Sequence, residues 1–541
     1  MTIGKLKLIT KGKRDLILTV NPKLTFWKSV YKRHTNFAIQ SFEIGLDNDI
    51  QISETKDMVF KYRIPRNGDL VNFISLIINL PSICSDEASL TEDGEFAWIQ
   101  KIGASIIKRA RLYYDDILID EIDGDFLILY DQLNHTTDET KIFNKLIGHT
   151  PNVYNPYVDN VYKSCSPNQA EIIGTEHFLN KGFGAIPSIQ SYELNIPILF
   201  SFFRNSDNLP LISNKRREVS IEIILRPINE LYTLVSKTNT NTIFTSSVLI
   251  EDIILSSSGD YSPCDYSPPT TLDYKKRSKD DECRFYTKFA KNITSSFFNP
   301  RLEVSYVFLD NLERKEFVEN KITQLIQIPQ RLNFYNIVGH TLLPLDIYHP
   351  VKSIYMAFRR NDIKNRNQWS NYSNNDNVSE NTNNILHLFS NGKLSENKLQ
   401  ELNNNWIYRD PNCIPILNCG NKQFYTENIL EEFRFLLNSE YREDTRNEIF
   451  YRLVEKYETL EFPEKSNCYL YSFALNGDGY QPKGMCYMSS FRNIFLDITC
   501  KDPSQSEYHQ CENYKYDALV YVIYYNEVVY MDGVGALKYG N

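Results

Sequence analysis

Six carboxylates crowd one short stretch of this chain: Asp115, Asp116, Asp120, Glu121, Asp123 and Asp125. Acids at such density suggest a calcium loop, because hard cations prefer oxygen ligands. A loop of that kind needs acids at alternate positions, a central glycine and a closing glutamate, and the spacing here fails that pattern. The expectation is a solvated acidic rim. The ten cysteines stand singly, and even the nearest pair, Cys413 and Cys419, has five residues between. Zinc ligands usually pair at closer spacing and a disulfide framework needs an oxidising compartment, so the cysteines read as reduced, mostly buried thiols. No GxSxG, P-loop or HExxH pattern occurs. A sugar-binding sandwich or glycosidase could use the many Tyr, Phe and Trp rings. A glycosidase, however, needs two acids held across a cleft, and the acids here sit mostly in polar loops. No catalytic residue, cofactor or metal is expected.

The elements that would position these residues are mostly strands. At 541 residues the chain exceeds one comfortable core, and two domains are the prior. Apolar residues make up 42% and aromatics 13%, which favours pleated surfaces where flat rings pack. A net charge of −9 argues against bulk attraction to nucleic acid, sequence-specific binding included. No run is apolar and long enough to span a bilayer, and no signal-peptide pattern opens the chain. Residues 1–34 form a locally basic arm: Lys5, Lys7, Lys11, Lys13, Arg14, Lys23, Lys28, Lys32 and Arg33 stand against Asp15, nine minus one, or +8. Such an arm suits a lipid headgroup layer or an acidic partner; a solvated terminus is the equal alternative.

Strand patterns appear at 59–64, 70–80, 194–200, 219–225, 302–308, 469–475, 491–499 and 519–525, with helical spacing at 126–133. Residues 226–300 read as a long loop insertion. After the strand at 302–308, Asp310 is expected to cap a helix, with Glu313 completing a capping box. Phe317, Val318, Ile322 and Leu325 extend that helix over 313–328, and Pro329 ends it. This helix reads as the joint that sets the angle between the two halves. Residues 361–384 hold ten asparagines and are expected to be exposed. Thr445 with Glu448 predicts another capped helix. Each half shows strands around a proline turn, then strand, polar loop, strand, and a closing aromatic strand, which fits two copies of one β-sandwich plan. Composition alone does not separate a jelly roll from an immunoglobulin-like array.

The run Asn21-Pro22-Lys23-Leu24-Thr25-Phe26-Trp27, followed by Arg33-His34-Thr35-Asn36-Phe37-Ala38, resembles the N-terminal signature of the major capsid proteins of nucleocytoplasmic large DNA viruses. The resemblance continues at Leu194–Phe200, at Leu302–Glu316, at His349-Pro350-Val351-Lys352, at Tyr471-Ser472-Phe473-Ala474-Leu475 with Gln481-Pro482-Lys483-Gly484, and at Gly533–Asn541. It implies an all-β double jelly roll: two consecutive antiparallel eight-stranded sandwiches with short helices and long loops. The first would span 35–312 and the second 329–541. It also implies a non-enzymatic shell subunit, forming homotrimeric, pseudo-hexagonal capsomers that tile an icosahedral virion assembled in the host cytoplasm. Its partners would be neighbouring capsomers, minor capsid proteins and an internal membrane reached by the basic arm. A minor capsid or scaffold role on the same fold is the alternative.

Asn134, Asn292, Asn371 and Asn377 head N-x-S/T sequons. Assembly in the cytoplasm would leave all four bare, so the intact mass should equal the polypeptide mass. A mass increment removed by an endoglycosidase would contradict both expectations.

Overall fold

Period-two burial defines the strands. In β2 (Met58–Arg63), Met58, Phe60 and Tyr62 point inward while Val59, Lys61 and Arg63 face solvent. The computed structural model describes residues 34–46, 56–80, 94–150, 153, 192–204, 207–236, 298–365, 367–374, 418–419, 422–423, 428–460, 468–475, 481–501 and 514–540. In the first half the main strands are β1 (Phe37–Ile44), β2, β3 (Leu70–Leu80), β4 (Ile107–Tyr114), β5 (Ile117–Ile122), β6 (Tyr192–Pro197), β7 (Val219–Leu225) and β8 (Arg301–Leu309). The second half holds β9 (Ile322–Ile337), β10 (His340–Pro344), β11 (Pro350–Arg360), β12 (Leu430–Leu437), β13 (Glu440–Tyr441), β14 (Cys468–Ser472), β15 (Ile494–Cys500) and β16 (Tyr516–Met531).

The pairing repeats. The first half forms one antiparallel sheet in the order β1-β8-β3-β6 and a second in the order β2-β7-β4-β5. The second half forms β9-β16-β11-β14 and β10-β15-β12-β13. Adding eight to each strand number converts one half into the other. Two sheets in which the first strand neighbours the last make a jelly-roll sandwich, and the chain carries it twice. Short extra strands join these paths, among them Leu209–Pro210 on β3 and Val534–Leu537 on β16.

Three helices bear on how the halves meet. Helix α1 (Gly124–Asn134) is buried on nearly every side, as an apolar helix inside a larger core must be. Its N-cap is Asp123, whose carboxylate accepts from the Phe126 N–H at 2.8 Å. Gly124 is required there, because a Cβ would lie 2.0 Å from the Ala104 carbonyl oxygen. Helix α2 (Thr137–Leu146) starts with a complete capping box between Thr136 and Glu139. Helix α3 (Asn311–Glu319) leads into β9 and buries none of its residues. The last hairpin turns on Asp532-Gly533, both with positive φ, the two-residue geometry that matches strand twist.

Several expectations are corrected. The connecting helix does not run over 313–328: it ends at Glu319, and Ile322 and Leu325 begin β9. Pro329 lies inside that strand, which tolerates it because β9 is the edge of its sheet and pairs only with β16. The segment after 226 is not all loop, since Tyr232–Ser236 pairs with Gly94–Trp98; residues 237–297 lie outside the described residues. In the asparagine-rich tract, Trp369, Asn371, Tyr372, Ser373 and Asn374 are buried, because their polar groups bond within the protein. Asn371 Oδ1, for example, accepts from both the Ser373 N–H and its hydroxyl. The helix expected after Thr445 begins at Glu448, after Asn447, whose side chain accepts from the Phe450 N–H, and its middle turn at Phe450–Val454 is π-wound.

The buried apolar residues of both halves form one continuous cluster. Replacing Gly124 by alanine should therefore strain α1 against the Ala104 carbonyl, at a cost of about 1–3 kcal/mol or more. Gly45, with nothing within 4 Å of its would-be Cβ, is the control. Thermal unfolding should show a lower midpoint for Gly124→Ala and an unchanged one for Gly45→Ala; equal midpoints would refute the close contact.

Candidate functional site: the seam between the sandwiches

A strand with one wet face alternates; β11 and the first eleven residues of β16 do not. From Val351 to Arg360 and from Tyr516 to Asn526 every residue is buried, so both faces of this sheet are covered. One face looks into its own sandwich. The other carries Arg331, Tyr521, Tyr355 and Arg359, and the first half lies over it. Register places Arg331 opposite Tyr521, and Tyr521 opposite Tyr355, on a single face.

The N-terminus of α1 meets this face with two carboxylates. Arg331 donates to Asp123 at 2.6 Å and approaches Asp125 at 3.1 Å. Arg359 reaches Asp125 at 3.3 Å, the Tyr372 hydroxyl donates to Asp125 at 2.8 Å, and the Tyr521 hydroxyl donates to Asp123 at 2.6 Å. Burial pushes the Asp125 carboxyl up, but Arg359, Arg331, Arg226 and the Tyr372 hydroxyl outweigh it and hold it below the usual carboxylate range. The acids also sit at the positive end of the α1 dipole, which favours their charge. Nearby, Asp120 accepts from both the N–H and hydroxyl of Ser201 at 2.6 Å, beside Arg204, which in turn donates to the Gln327 carbonyl of β9. Burial raises the Asp120 carboxyl despite Arg204 and Ser201. Arg226 stacks on Trp369 at 3.9 Å, and the Trp369 indole donates to the Glu230 carbonyl at 2.9 Å. Tyr114 and Tyr530 join hydroxyls at 2.8 Å, and the last hairpin returns to the first half through Gly535 N–H to Asn214 Oδ1 at 2.9 Å.

The acidic stretch is thus only partly a solvated rim. Asp115 and Asp116 are exposed, whereas Asp120, Asp123 and Asp125 are buried ion-pair partners. Among the described residues no cluster of His, Cys, Asp and Glu is arranged to hold a metal.

At the joint, Asp310 occupies the N-cap of α3, and its carboxylate accepts from the Asn311 N–H at 2.8 Å. Neither half of the expected box is made: the Asp310 carboxylate accepts at Asn311 and not at the Glu313 N–H, and Glu313 Oε2 is without a hydrogen-bond partner among the described residues. The joint is held instead by Asp69, a residue that sequence reasoning misses. Asp69 accepts from the Leu309 N–H at 2.9 Å and from Arg314 Nε at 2.8 Å, fastening the end of β8 and the first turn of α3 to the start of β3. No local signal marks it, since its partners lie 240 residues or more away. Of the signature residues, Arg33 lies outside the described residues. His34, Thr35 and Asn36 are exposed, and Phe37 opens β1.

A family model described as "Major capsid protein N-terminus" matches residues 25–310, and one described as "Large eukaryotic DNA virus major capsid protein" matches residues 313–536. This chain belongs to the major capsid protein family of large eukaryotic DNA viruses. Among curated relatives, the "Probable capsid protein 4" of Acanthamoeba polyphaga mimivirus is 23% identical over 95% of this chain and 96% of its own. The "Major capsid protein" of Phaeocystis pouchetii virus is 24% identical over the full length of both. Among solved structures, the quasi-atomic model of the PBCV-1 virus capsid matches with a TM-score of 0.58 and 18% identity, covering 96% of this chain and all of that one. The Faustovirus major capsid protein matches with a TM-score of 0.59 and 11% identity, covering 96% and 95%. At such identities the structural likeness establishes the fold, a double jelly roll. The protein is a viral capsid component, and its seam joins the two jelly rolls of the family.

Changing Asp125 to asparagine leaves Arg359 and Arg331 short of a charge and should cost about 3–5 kcal/mol at neutral pH. The sign with pH comes from the lowered carboxyl: its stabilisation is present above the unfolded-state pKa of about 3.9 and is lost as pH falls through the lower folded value. The gap between wild type and Asp125→Asn, measured by denaturant unfolding, should therefore narrow below about pH 4. A gap constant from pH 7 to pH 3 would contradict the ion pairing.

Proposed function

We propose that this protein is the major structural subunit of its shell, and that three copies form a pseudo-hexagonal capsomer that tiles an icosahedral surface. The repeat carries this reading: one chain supplies two sandwiches of identical connectivity, so three chains around a threefold axis supply six similar blocks. A block with near-sixfold outline packs into a hexagonal layer, and no reaction is required. The seam supports the reading because a tile must keep its two halves at a fixed angle, and the Asp123–Arg331 and Asp125–Arg359 pairs give that angle a directional hold. Family membership supports a structural role over an enzymatic one. The partners are then neighbouring capsomers, with proteins or a membrane beneath the shell as contacts for the basic arm at residues 1–34, and the assembly site is the host cytoplasm. The proposed domains are a first jelly roll ending with β8 and a second beginning with β9, with α3 between them.

Purified protein should have a mass of about 190 kDa by light scattering, three times the 63.3 kDa chain. A monodisperse 63.3 kDa species at micromolar concentration would overturn the capsomer reading. Counting copies in purified particles separates a major subunit from a minor one.

A further inference from the structure

Helix α3 buries none of its residues, yet Phe317 and Val318 on it wall a cavity of roughly 250 Å³ at the joint. The other apolar walls come from both halves. Ile212 belongs to the turn at Ile212–Asn214 in the first, and Tyr530 and Met531 to the end of β16 in the second. Three hydrogen bonds hold these pieces together. The Ser213 hydroxyl donates to the Phe317 carbonyl at 2.9 Å, the Arg216 N–H to the Gly533 carbonyl at 2.8 Å, and the Gly535 N–H to Asn214 Oδ1 at 2.9 Å. The cavity is therefore built into the joint, and clefts between domains are preferred places for small ligands.

Its charge differs from that of the chain as a whole. Lys215 and Arg216 line the cavity, both are exposed, and among the described residues neither side chain has a carboxylate partner. Asp532 is the acid of the lining, so the charged side chains there sum to two minus one, or +1, on a protein whose net charge is −9. Gly533 leaves room for the two basic stems along the hairpin, since a Cβ there would lie 3.4 Å from Arg216 Cγ and 3.7 Å from Lys215 Cβ. Long basic side chains rest their methylenes on apolar surface and keep the charge in water. Apolar walls that still meet solvent, with Val318 43% and Met531 56% exposed, thus stand beside two cations that no acid neutralises.

We infer that this cavity binds a small amphipathic monoanion, a carboxylate carried on a short apolar body. At about 30 Å³ for a group the size of a water or a methylene, the space holds roughly eight such groups. The surplus of one positive charge favours a single negative head and repels an ammonium one. So small a body binds weakly, at about millimolar concentration. The first half, the linking helix and the second half all line the cavity, so an occupied site ties the three together and stabilises the joint by mass action. Every lining residue belongs to one chain, which makes the inference independent of the trimeric reading.

The test uses the full-length protein with isotope-labelled methionine methyl groups. Of the six methionines, Met531 is the one in the lining, so its resonance reports the site while the others serve as controls. Octanoate should shift the Met531 methyl saturably and raise the thermal midpoint. Octanol should bind about fivefold more weakly or worse, and octylammonium should leave the resonance in place. Reversing both cations with Lys215→Glu and Arg216→Glu should weaken octanoate about tenfold or more and leave octanol unchanged. Both positions are exposed, so the ligand-free variant should unfold at the wild-type midpoint. Should the double variant fail to fold, Arg216→Gln alone makes the same comparison with a loss of about threefold. Val318→Trp, which fills the cavity from an exposed helix, should abolish the shift. The inference is overturned by a Met531 methyl that octanoate leaves unmoved throughout the millimolar range. It is equally overturned if octanol or octylammonium binds as tightly as octanoate, or if the charge changes leave octanoate affinity as it was.

Discussion

Arg359 leaves the water together with Asp123 and Asp125, half-buried Arg331 closes over the same carboxylates, and neither the acids nor the arginines could be placed there alone. A buried guanidinium without a carboxylate costs several kcal/mol, and so does a buried carboxylate without a cation. One set of charges belongs to the first sandwich and the other to the second. The folded chain therefore has one spacing and one rotation between its halves at which each cost is offset by the other's charge. Short hydrogen bonds from Tyr521 and Tyr372 to the same carboxylates narrow that position further.

Around this ionic centre the packing is apolar and continuous, which supplies cohesion without direction. The division of labour is visible in β16. It pairs with β9 on one side and β11 on the other, turns one face to its own sandwich, and offers Tyr521 to the seam with the other. Helix α3, the covalent link, contributes little to this alignment because none of its side chains is buried. Its anchoring comes from Asp69 and from Ser213, whose hydroxyl donates to the Phe317 carbonyl. The halves are oriented by the surfaces they share and only tethered by the peptide that joins them.

How much of the fold is legible in the sequence depends on the range of each interaction. Strands with one wet face, such as β2 and β8, announce themselves by alternation, and α1 by its apolar spacing after Asp123-Gly124. The repeat is visible as an order of elements, though strand pairing is needed to show that the two connectivities coincide. The length of α3 is not legible, because Ile322 and Leu325 fit a helix or a strand equally well, and Pro329 looks like a stop while lying on a sheet edge. The acids at 120, 123 and 125 look solvated because their arginines stand more than two hundred residues further on or, for Arg204, in a short helix more than eighty residues away. Trp369 and its asparagine-rich neighbours look exposed for the same reason: Arg226 and Glu230, which receive the indole, are far away in the chain. Asp69 leaves no trace at all, since an aspartate before a strand is ordinary until Leu309 and Arg314 are brought to it.

The pairing of β1 with β8 has a consequence for how the chain is made. Phe37 finds Leu309 across more than 270 residues, and Ile322 finds Tyr530 across more than 200. A ribosome delivers about 5–20 residues each second, so the first sheet waits tens of seconds for its closing strand, and the second waits again for β16. During the second wait the side of α1 that meets the second sandwich has no cover. A helix tip bearing Asp123 and Asp125 stays hydrated through that interval, where a wholly apolar one would invite the nascent chain next to it. The charges that lock the finished protein are thus ones that water can hold until their partners arrive.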